Sequence, residues 1–138
     1  MTRRRRQGFT LIEVLLVLVI LVILGSLVGI QIRSAQKSAL LKAAKSQVGM
    51  FDSPLQRYAL DMGDFPTASV GLGALVSAPS DAKSAQWAGP YLEKGVPADP
   101  WGNQYQYANP GRHNAGSYDV WSLGSDGADG TDDDIGNW

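Results

Sequence analysis

The feature that most constrains this chain is an unbroken apolar run near its N-terminus. Every residue from Val14 to Leu24 is Val, Leu or Ile, and the apolar stretch covers residues 9–30 with one charged side chain, Glu13. About 20 apolar residues are enough for a helix to span a bilayer. The run Arg3 to Arg6 precedes the stretch, and positive charge favours the cytoplasmic side of a membrane. The sequence therefore predicts one membrane-spanning helix with a cytoplasmic N-terminus.

Three interpretations of this segment compete, and Glu13 separates them. A cleaved signal peptide has an apolar region of about 7–15 residues and then a small-x-small cleavage site; here the stretch is longer, and Gly25 and Ser26 lead into more apolar sequence. A plain signal anchor fits the length. Neither explains a carboxylate inside an apolar helix, which costs several kcal/mol without a partner. A Glu13 that reaches water at the membrane interface is the simpler alternative.

The third interpretation comes from the residues around Glu13. Gly8 to Val14 reads GFTLIEV behind the arginine run, which is similar to the leader motif of type IV pilins and pseudopilins. The resemblance implies that a prepilin peptidase cuts between Gly8 and Phe9 and methylates the new amine to give N-methylphenylalanine. Residues 1–8 would be the cleaved leader, and residues 9–30 would stay as a transmembrane and filament-core helix. In the family this Glu neutralises the N-terminus of an adjacent subunit during assembly.

Residues 31–63 continue as an amphipathic helix. Apolar side chains recur at spacings of three and four from Ile32 to Leu55, with basic residues between them, a pattern typical of a helix with one buried face. We expect one long helix from Phe9, bent near Pro54, because proline kinks a helix. The alternative is a membrane span followed by a separate helix of the domain.

The sequence of residues 64–138 predicts a small periplasmic domain of the α+β class. Gly and Pro in the segment 63–67 end the helix, and residues 72–76 form a short helical turn. Two runs are strand-like, Gln104 to Ala108 and Tyr118 to Leu123, with residues 109–116 as the hairpin loop. The predicted fold is a long N-terminal helix packed on a small antiparallel sheet.

Motifs throughout the chain resemble the major pseudopilin family of the type II secretion system, and the match covers nearly the whole sequence. The resemblance implies a type IV pilin-like fold. Type IV pilins usually carry a C-terminal disulfide, which a chain without cysteine cannot form. The matching motifs are YALD at 58–61, FPT at 65–67, GLGAL at 71–75, DPWGNQYQY at 99–107, WSLGSDG at 121–127 and TDDDIGNW at 131–138.

The C-terminal tail concentrates aspartate and glycine. Carboxylates of Asp126, Asp133 and Asp134 are the oxygen ligands that calcium prefers, but the spacing is not that of an EF-hand, and a solvated acidic turn is the alternative. The resemblance implies that these three residues bind one calcium ion, together with the backbone carbonyls of Leu123 and Ala128. Asp129 and Asp132 are left open as further ligands. The expected role of the ion is to stabilise a domain without disulfides.

The chain offers little for catalysis or nucleic-acid binding. His113 is the only histidine and lies among Gly and Asn, so that we expect a solvated loop residue rather than a catalytic or zinc site. The sequence has no phosphate-binding Gly-Lys motif. The four tryptophans are expected to be core or packing residues rather than ligand platforms. We therefore predict that the chain is not an enzyme and does not bind nucleic acid.

The resemblance implies a structural function. Copies of the chain would form a homopolymer, the pseudopilus, that grows from the inner membrane into the periplasm and drives folded proteins through the secretin channel of the outer membrane. Minor pseudopilins, an inner-membrane assembly platform and its ATPase would be its partners. Two alternatives are a type IV pilus subunit for adhesion or DNA uptake and a signal-anchored periplasmic calcium-binding enzyme.

Overall fold

The computed structural model describes residues 8–80 and 84–138, without the side chains of residues 27–31. The chain separates into two compact units, Met1–Ser38 and Ala39–Trp138. The arginine run of the predicted leader lies outside the described residues. The fold is a long helix packed on a small antiparallel sheet of three strands, as the sequence predicted.

Helix α1, Leu11–Met50, contains the apolar run. Every side chain from Val14 to Leu24 is between 45% and 71% exposed, so the apolar surface surrounds the helix on all sides. Within the residues whose side chains are described, no helix is both long and apolar enough to cross a membrane. The predicted span, residues 9–30, includes residues 27–30, whose side chains lie outside that part.

The chain forms two helices where the sequence predicted one bent helix. Helix α2, Asp52–Met62, follows α1 after the single residue Phe51. Pro54 has no N–H to donate to the carbonyl of Met50, and its ring is too close to that carbonyl in a continuous helix. The break at Phe51 places Pro54 in the first turn of α2, where a missing N–H costs no helical hydrogen bond. The helical ladder resumes with the bond from the Leu55 N–H to the Phe51 carbonyl, 3.0 Å long.

Helix α2 contributes one face to the core. Its buried side chains, Leu55, Tyr58 and Met62, follow the spacing of a helix with one apolar face. They pack with Phe51 and with the short 3-10 helix Gly71–Leu75, which matches the predicted turn at residues 72–76. Gly63 ends α2 in a left-handed conformation with φ +86°, which favours glycine.

The sheet has the order β1-β2-β3, and both strand pairs are antiparallel. The strands are β1 at Gln106–Ala108, β2 at Asp119–Ser122 and β3 at Ile135–Gly136. The first two lie within the predicted strands and are shorter; near β1, Gln104 pairs separately with Ala98. Strand β3 was not predicted.

Three tyrosine hydroxyls join the sheet region to the elements around it. Tyr105 donates to the side chain of Gln47 at 2.5 Å, Tyr118 to Asp52 at 2.8 Å, and Tyr107 to the carbonyl of Pro66 at 2.8 Å. Burial raises the pKa of Tyr105 to about 12. These hydroxyls are neutral donors at physiological pH; Tyr105 and Tyr118 join the sheet region to the helices, and Tyr107 joins it to the segment after α2.

Candidate functional site

The predicted processing and assembly residues lie at the beginning of α1. Gly8 and Phe9 precede the first helical residue, and Phe9 is 82% exposed. The bond between them is therefore outside the helical ladder. Glu13 lies in the first turn of α1, where a negative charge is favourable next to unpaired backbone N–H groups. Glu13 is exposed on the chain by itself, so its carboxylate is accessible to another molecule.

The acidic loop, residues 123–134, connects β2 to β3. Its ends are held together by the strand pair Ser122↔Ile135. Three glycines, Gly124, Gly127 and Gly130, have φ between +66° and +83°, and they let the backbone turn repeatedly. A Cβ atom on Gly124 would collide with the carbonyl of Asp133. The second residue of the loop therefore lies close to the backbone of the second-to-last residue.

The three predicted carboxylate ligands lie in this loop, and each accepts a hydrogen bond within it. Asp126 accepts from the N–H of Ala128 at 2.9 Å, Asp134 from the N–H of Gly130 at 2.7 Å, and Asp133 from the hydroxyl of Ser125. Each of these bonds uses one carboxylate oxygen.

Asp129 has a different environment from the other loop aspartates. One of its oxygens accepts from the indole N–H of Trp121 at 2.9 Å, and the other lies 3.6 Å from the guanidinium of Arg112. Both partners lie outside the loop. The Asp129 carboxylate is therefore held against the sheet by protein groups.

An oxygen donor set of this kind suits calcium, and one atom of the loop lacks a partner. Oδ1 of Asp134 is buried and accepts no hydrogen bond from the described residues. An unsatisfied buried acceptor costs free energy that a cation would offset. Within the described residues, no three acidic or histidine side chains are grouped to hold a metal. The oxygen donors of the loop and the unsatisfied Oδ1 of Asp134 suit calcium chemically, whereas the described carboxylates are not gathered around one point.

A buried carboxylate behind the loop was missed from the sequence. Asp99 is 5% exposed and begins the turn at residues 99–102, at the start of the DPWGNQYQY motif. It accepts from the N–H groups of Trp101 and Asn103 and from the hydroxyl of Ser122. An Asp followed by a glycine three residues later suggests a turn, but nothing local indicates the contact with Ser122, 23 residues away.

His113 is more constrained than a solvated loop residue. Its ring stacks on Trp138, and its Nδ1 lies 3.5 Å from a carboxylate oxygen of Asp119, which is 1% exposed. Trp138 is 47% exposed, so this tryptophan is a packing residue rather than a core residue. Nothing in this cluster resembles a catalytic triad, because no nucleophilic side chain is hydrogen-bonded to the imidazole among the described residues.

The chain matches two families. Residues 31–138 match the family described as type II secretion system (T2SS), protein G, and residues 3–29 match the prokaryotic N-terminal methylation motif. The second match contains Gly8, Phe9 and Glu13, which the sequence had assigned to processing and assembly.

Full-length relatives carry the same description. The chain is 44% identical to the type II secretion system core protein G of Aeromonas hydrophila, over 100% of this chain and 96% of the relative. It is 42% identical to the protein of that name from Pseudomonas aeruginosa, over 100% and 99% of the two chains. The structure resembles the crystal structure of the major pseudopilin from the type 2 secretion system of enterohaemorrhagic Escherichia coli. That match has a TM-score of 0.64 and 35% identity and covers 77% of this chain and 92% of that one. The predicted resemblance is confirmed, and the chain belongs to the type II secretion system protein G family.

Proposed function

We propose that the chain is the major structural subunit of a type II secretion pseudopilus. The observation that carries the proposal is the exposed apolar surface of α1 from Val14 to Leu24, in a chain whose later residues form a core of their own. An apolar surface on all sides of a helix needs a surrounding apolar partner. Lipid is that partner before assembly, and the α1 helices of other copies are that partner in the filament.

Processing converts the membrane form into the assembly form. A prepilin peptidase cuts on the cytoplasmic side between Gly8 and Phe9 and methylates the amine of Phe9. The chain then spans the inner membrane once, with this end at the cytoplasmic face and the domain in the periplasm. The exposed, non-helical position of the Gly8–Phe9 bond supports this proposal.

Glu13 supplies the register of the filament. Its carboxylate pairs with the amine of Phe9 on a neighbouring subunit. Two unit charges about 4 Å apart attract by about 4 kcal/mol at an effective dielectric near 20. This attraction offsets the cost of placing both charges among apolar side chains, and it is lost if the neighbour is shifted along the filament.

The polymer works with other parts of the secretion system. An inner-membrane platform with its ATPase adds subunits, minor pseudopilins start the filament, and growth pushes folded proteins through the secretin channel. The chain contributes a structural element to this process and no catalysis.

The acidic loop binds one calcium ion in this proposal. Asp126, Asp133 and Asp134 and the carbonyls of Leu123 and Ala128 hold the ion. Calcium would supply positive charge that crosslinks the two ends of the loop. The partnerless Oδ1 of Asp134 supports this assignment.

Deleting the gene and measuring export tests the structural proposal. We expect secreted proteins to accumulate in the periplasm, and we expect the natural protein to begin with N-methylphenylalanine at position 9 by mass spectrometry. Normal export together with loss of long surface filaments would favour a type IV pilus subunit instead. Restoration of export by residues 39–138, which lack the apolar run of α1, would favour an anchored enzyme or binding protein.

A further inference from the structure

Asp99 connects the acidic loop to a turn that lies outside it. One carboxylate oxygen accepts from the N–H of Trp101 at 3.1 Å and from the N–H of Asn103 at 2.7 Å. The other oxygen accepts from the hydroxyl of Ser122 at 2.5 Å. Asp99 therefore uses both oxygens, one to close its own turn and one to reach the last residue of β2.

The hydroxyl of Ser122 transmits this constraint to the first turn of the loop. A carboxylate accepts hydrogen bonds and donates none, so Ser122 must be the donor towards Asp99. With its proton fixed in that direction, the Ser122 oxygen presents its remaining lone pairs elsewhere, and it accepts from the N–H of Gly124 at 3.1 Å. Ser122 is fully buried, so no water competes for these positions.

The bond to Gly124 also determines where the carbonyl of Leu123 points. The N–H of Gly124 and the C=O of Leu123 belong to one planar trans peptide, in which the two groups point in opposite directions. Holding the N–H against Ser122 therefore directs the carbonyl of Leu123 away from Ser122. The carbonyl of Asp133 lies so close to Gly124 that a Cβ there would collide with it, and this crowding limits the movement of the peptide.

We propose that Asp99 and Ser122 are positioning residues of the calcium site: Asp99 orients the Ser122 hydroxyl, and that hydroxyl orients the Leu123 carbonyl towards the ion. The inference rests on the proposed binding of calcium by the acidic loop. Neither residue contacts the ion itself. Groups that orient metal ligands typically change metal affinity by about 10-fold to 100-fold when they are replaced.

The test compares calcium affinity in Asp99→Asn, Ser122→Ala and Ser122→Thr, measured by isothermal titration calorimetry on the full chain in detergent. Ser122→Ala removes the acceptor for Gly124. Asp99→Asn can present an amide N–H to Ser122, which reverses the donor of that bond. We expect both to weaken calcium binding by about 10-fold or more. Ser122→Thr keeps the hydroxyl, and we expect an affinity close to that of the unmodified chain.

Asp119→Asn is the matched control. Asp119 is also a buried aspartate and lies on the same strand as Ser122, but its hydrogen bonds hold residues 113 and 114. Melting in excess chelator measures the loss of stability without calcium for every variant. We expect Asp119→Asn to melt lower and to keep its calcium affinity.

Two results would overturn the inference in distinguishable ways. Asp99→Asn and Ser122→Ala chains that melt lower but bind calcium like the unmodified chain would show that the two residues are structural only. An unmodified chain that binds no calcium would remove both the proposed calcium site and its positioning residues. If either variant does not fold, loss of affinity in folded Ser122→Thr would contradict the role of the hydroxyl.

Discussion

The imidazole of His113 stacks on the indole of Trp138, with ring centroids 3.8 Å apart and an angle of 14° between the planes. This contact fixes the last residue of the chain to the loop between β1 and β2. Asn137 adds to it, since its side chain accepts from the N–H of Val120 at 3.1 Å and donates to the carbonyl of Tyr118 at 3.1 Å. The C-terminus is therefore part of the folded domain.

A double-mutant cycle measures the interaction energy between the stacked rings of His113 and Trp138. We expect His113→Ala and Trp138→Ala each to lower the free energy of unfolding, with a coupling energy of about 0.5–1.5 kcal/mol, because an aromatic pair contributes this much beyond its buried area. Urea unfolding of the full chain in detergent gives the four free energies. Additive effects would contradict an energetically significant contact.

We expect the ionisation of Asp119 to make the folded domain less stable in acid. Burial would raise the pKa of its carboxyl, but hydrogen bonds from the backbone of His113, Asn114 and Arg112 and from the Asn114 side chain together hold the pKa below the ordinary 3.8. The folded state therefore binds this proton less readily than the unfolded state. The stability that the ionised carboxylate contributes is present above pH 3.8 and is lost as the pH falls through the lowered pKa.

Asp119→Asn tests this dependence. We expect the variant to lose about 1–3 kcal/mol at neutral pH, because donors are left without an ionised partner. Its unfolding free energy should then fall less steeply below pH 3.8 than that of the unmodified chain. Urea titrations on both sides of this pH measure the two slopes, and equal slopes would contradict the assignment.

The sequence predicted the features that local patterns determine. The apolar run identified α1, Gly8 to Glu13 identified the processing motif, and the strand-like runs at 104–108 and 118–123 contain β1 and β2. The sequence predicted one helix bent near Pro54, whereas the structure has two helices that separate at Phe51, because the ring of Pro54 conflicts with a carbonyl four residues earlier.

The features that sequence reasoning missed depend on contacts between distant residues. Strand β3 has two residues, and it exists because Ile135 pairs with Ser122. The sequence around Asp99 indicates only a turn, whereas in the fold its carboxylate oxygen lies 2.5 Å from the hydroxyl oxygen of Ser122. His113 reads as a solvated residue until Trp138, the last residue, folds back over it. No periodicity or short motif encodes these pairs.

Two glycines of the acidic loop should differ sharply when they are replaced by alanine. Gly124 has φ +66° and no space for a Cβ beside Asp133, whereas Gly130 has φ +83° and open space around it. The left-handed conformation costs alanine about 1–2 kcal/mol at either position. Only Gly124→Ala adds a steric collision, for a total of about 3 kcal/mol or more.

Urea unfolding in excess chelator compares the two glycine variants without any contribution from calcium. Gly130→Ala is the control for backbone strain. An equal loss of stability in the two variants would show that the contact between Gly124 and Asp133 does not constrain the loop.

Glu13→Ala should block assembly without unfolding the domain. The side chain is exposed in the single chain and contributes nothing to the core, but the proposed filament needs its charge. We expect loss of filaments and of protein export, with an unchanged circular dichroism melting curve. Glu93→Ala, an exposed acid in the periplasmic domain, is the control and should assemble normally. Normal filaments and export in Glu13→Ala would contradict the proposed pairing with Phe9.

A comparison of Asp134→Asn with Asp132→Asn should distinguish a proposed calcium ligand from another acid of the loop. Asp134 has a buried oxygen without a hydrogen-bond partner, whereas Asp132 is exposed. Calcium at about 100 times its dissociation constant stabilises the unmodified chain by about 2.7 kcal/mol, or several degrees in melting temperature for a domain of about 100 residues. Most of this gain should disappear in Asp134→Asn and persist in Asp132→Asn. Melting curves with calcium and with chelator measure the gain for each chain, and a gain that is equal in the two variants would contradict ligation by Asp134.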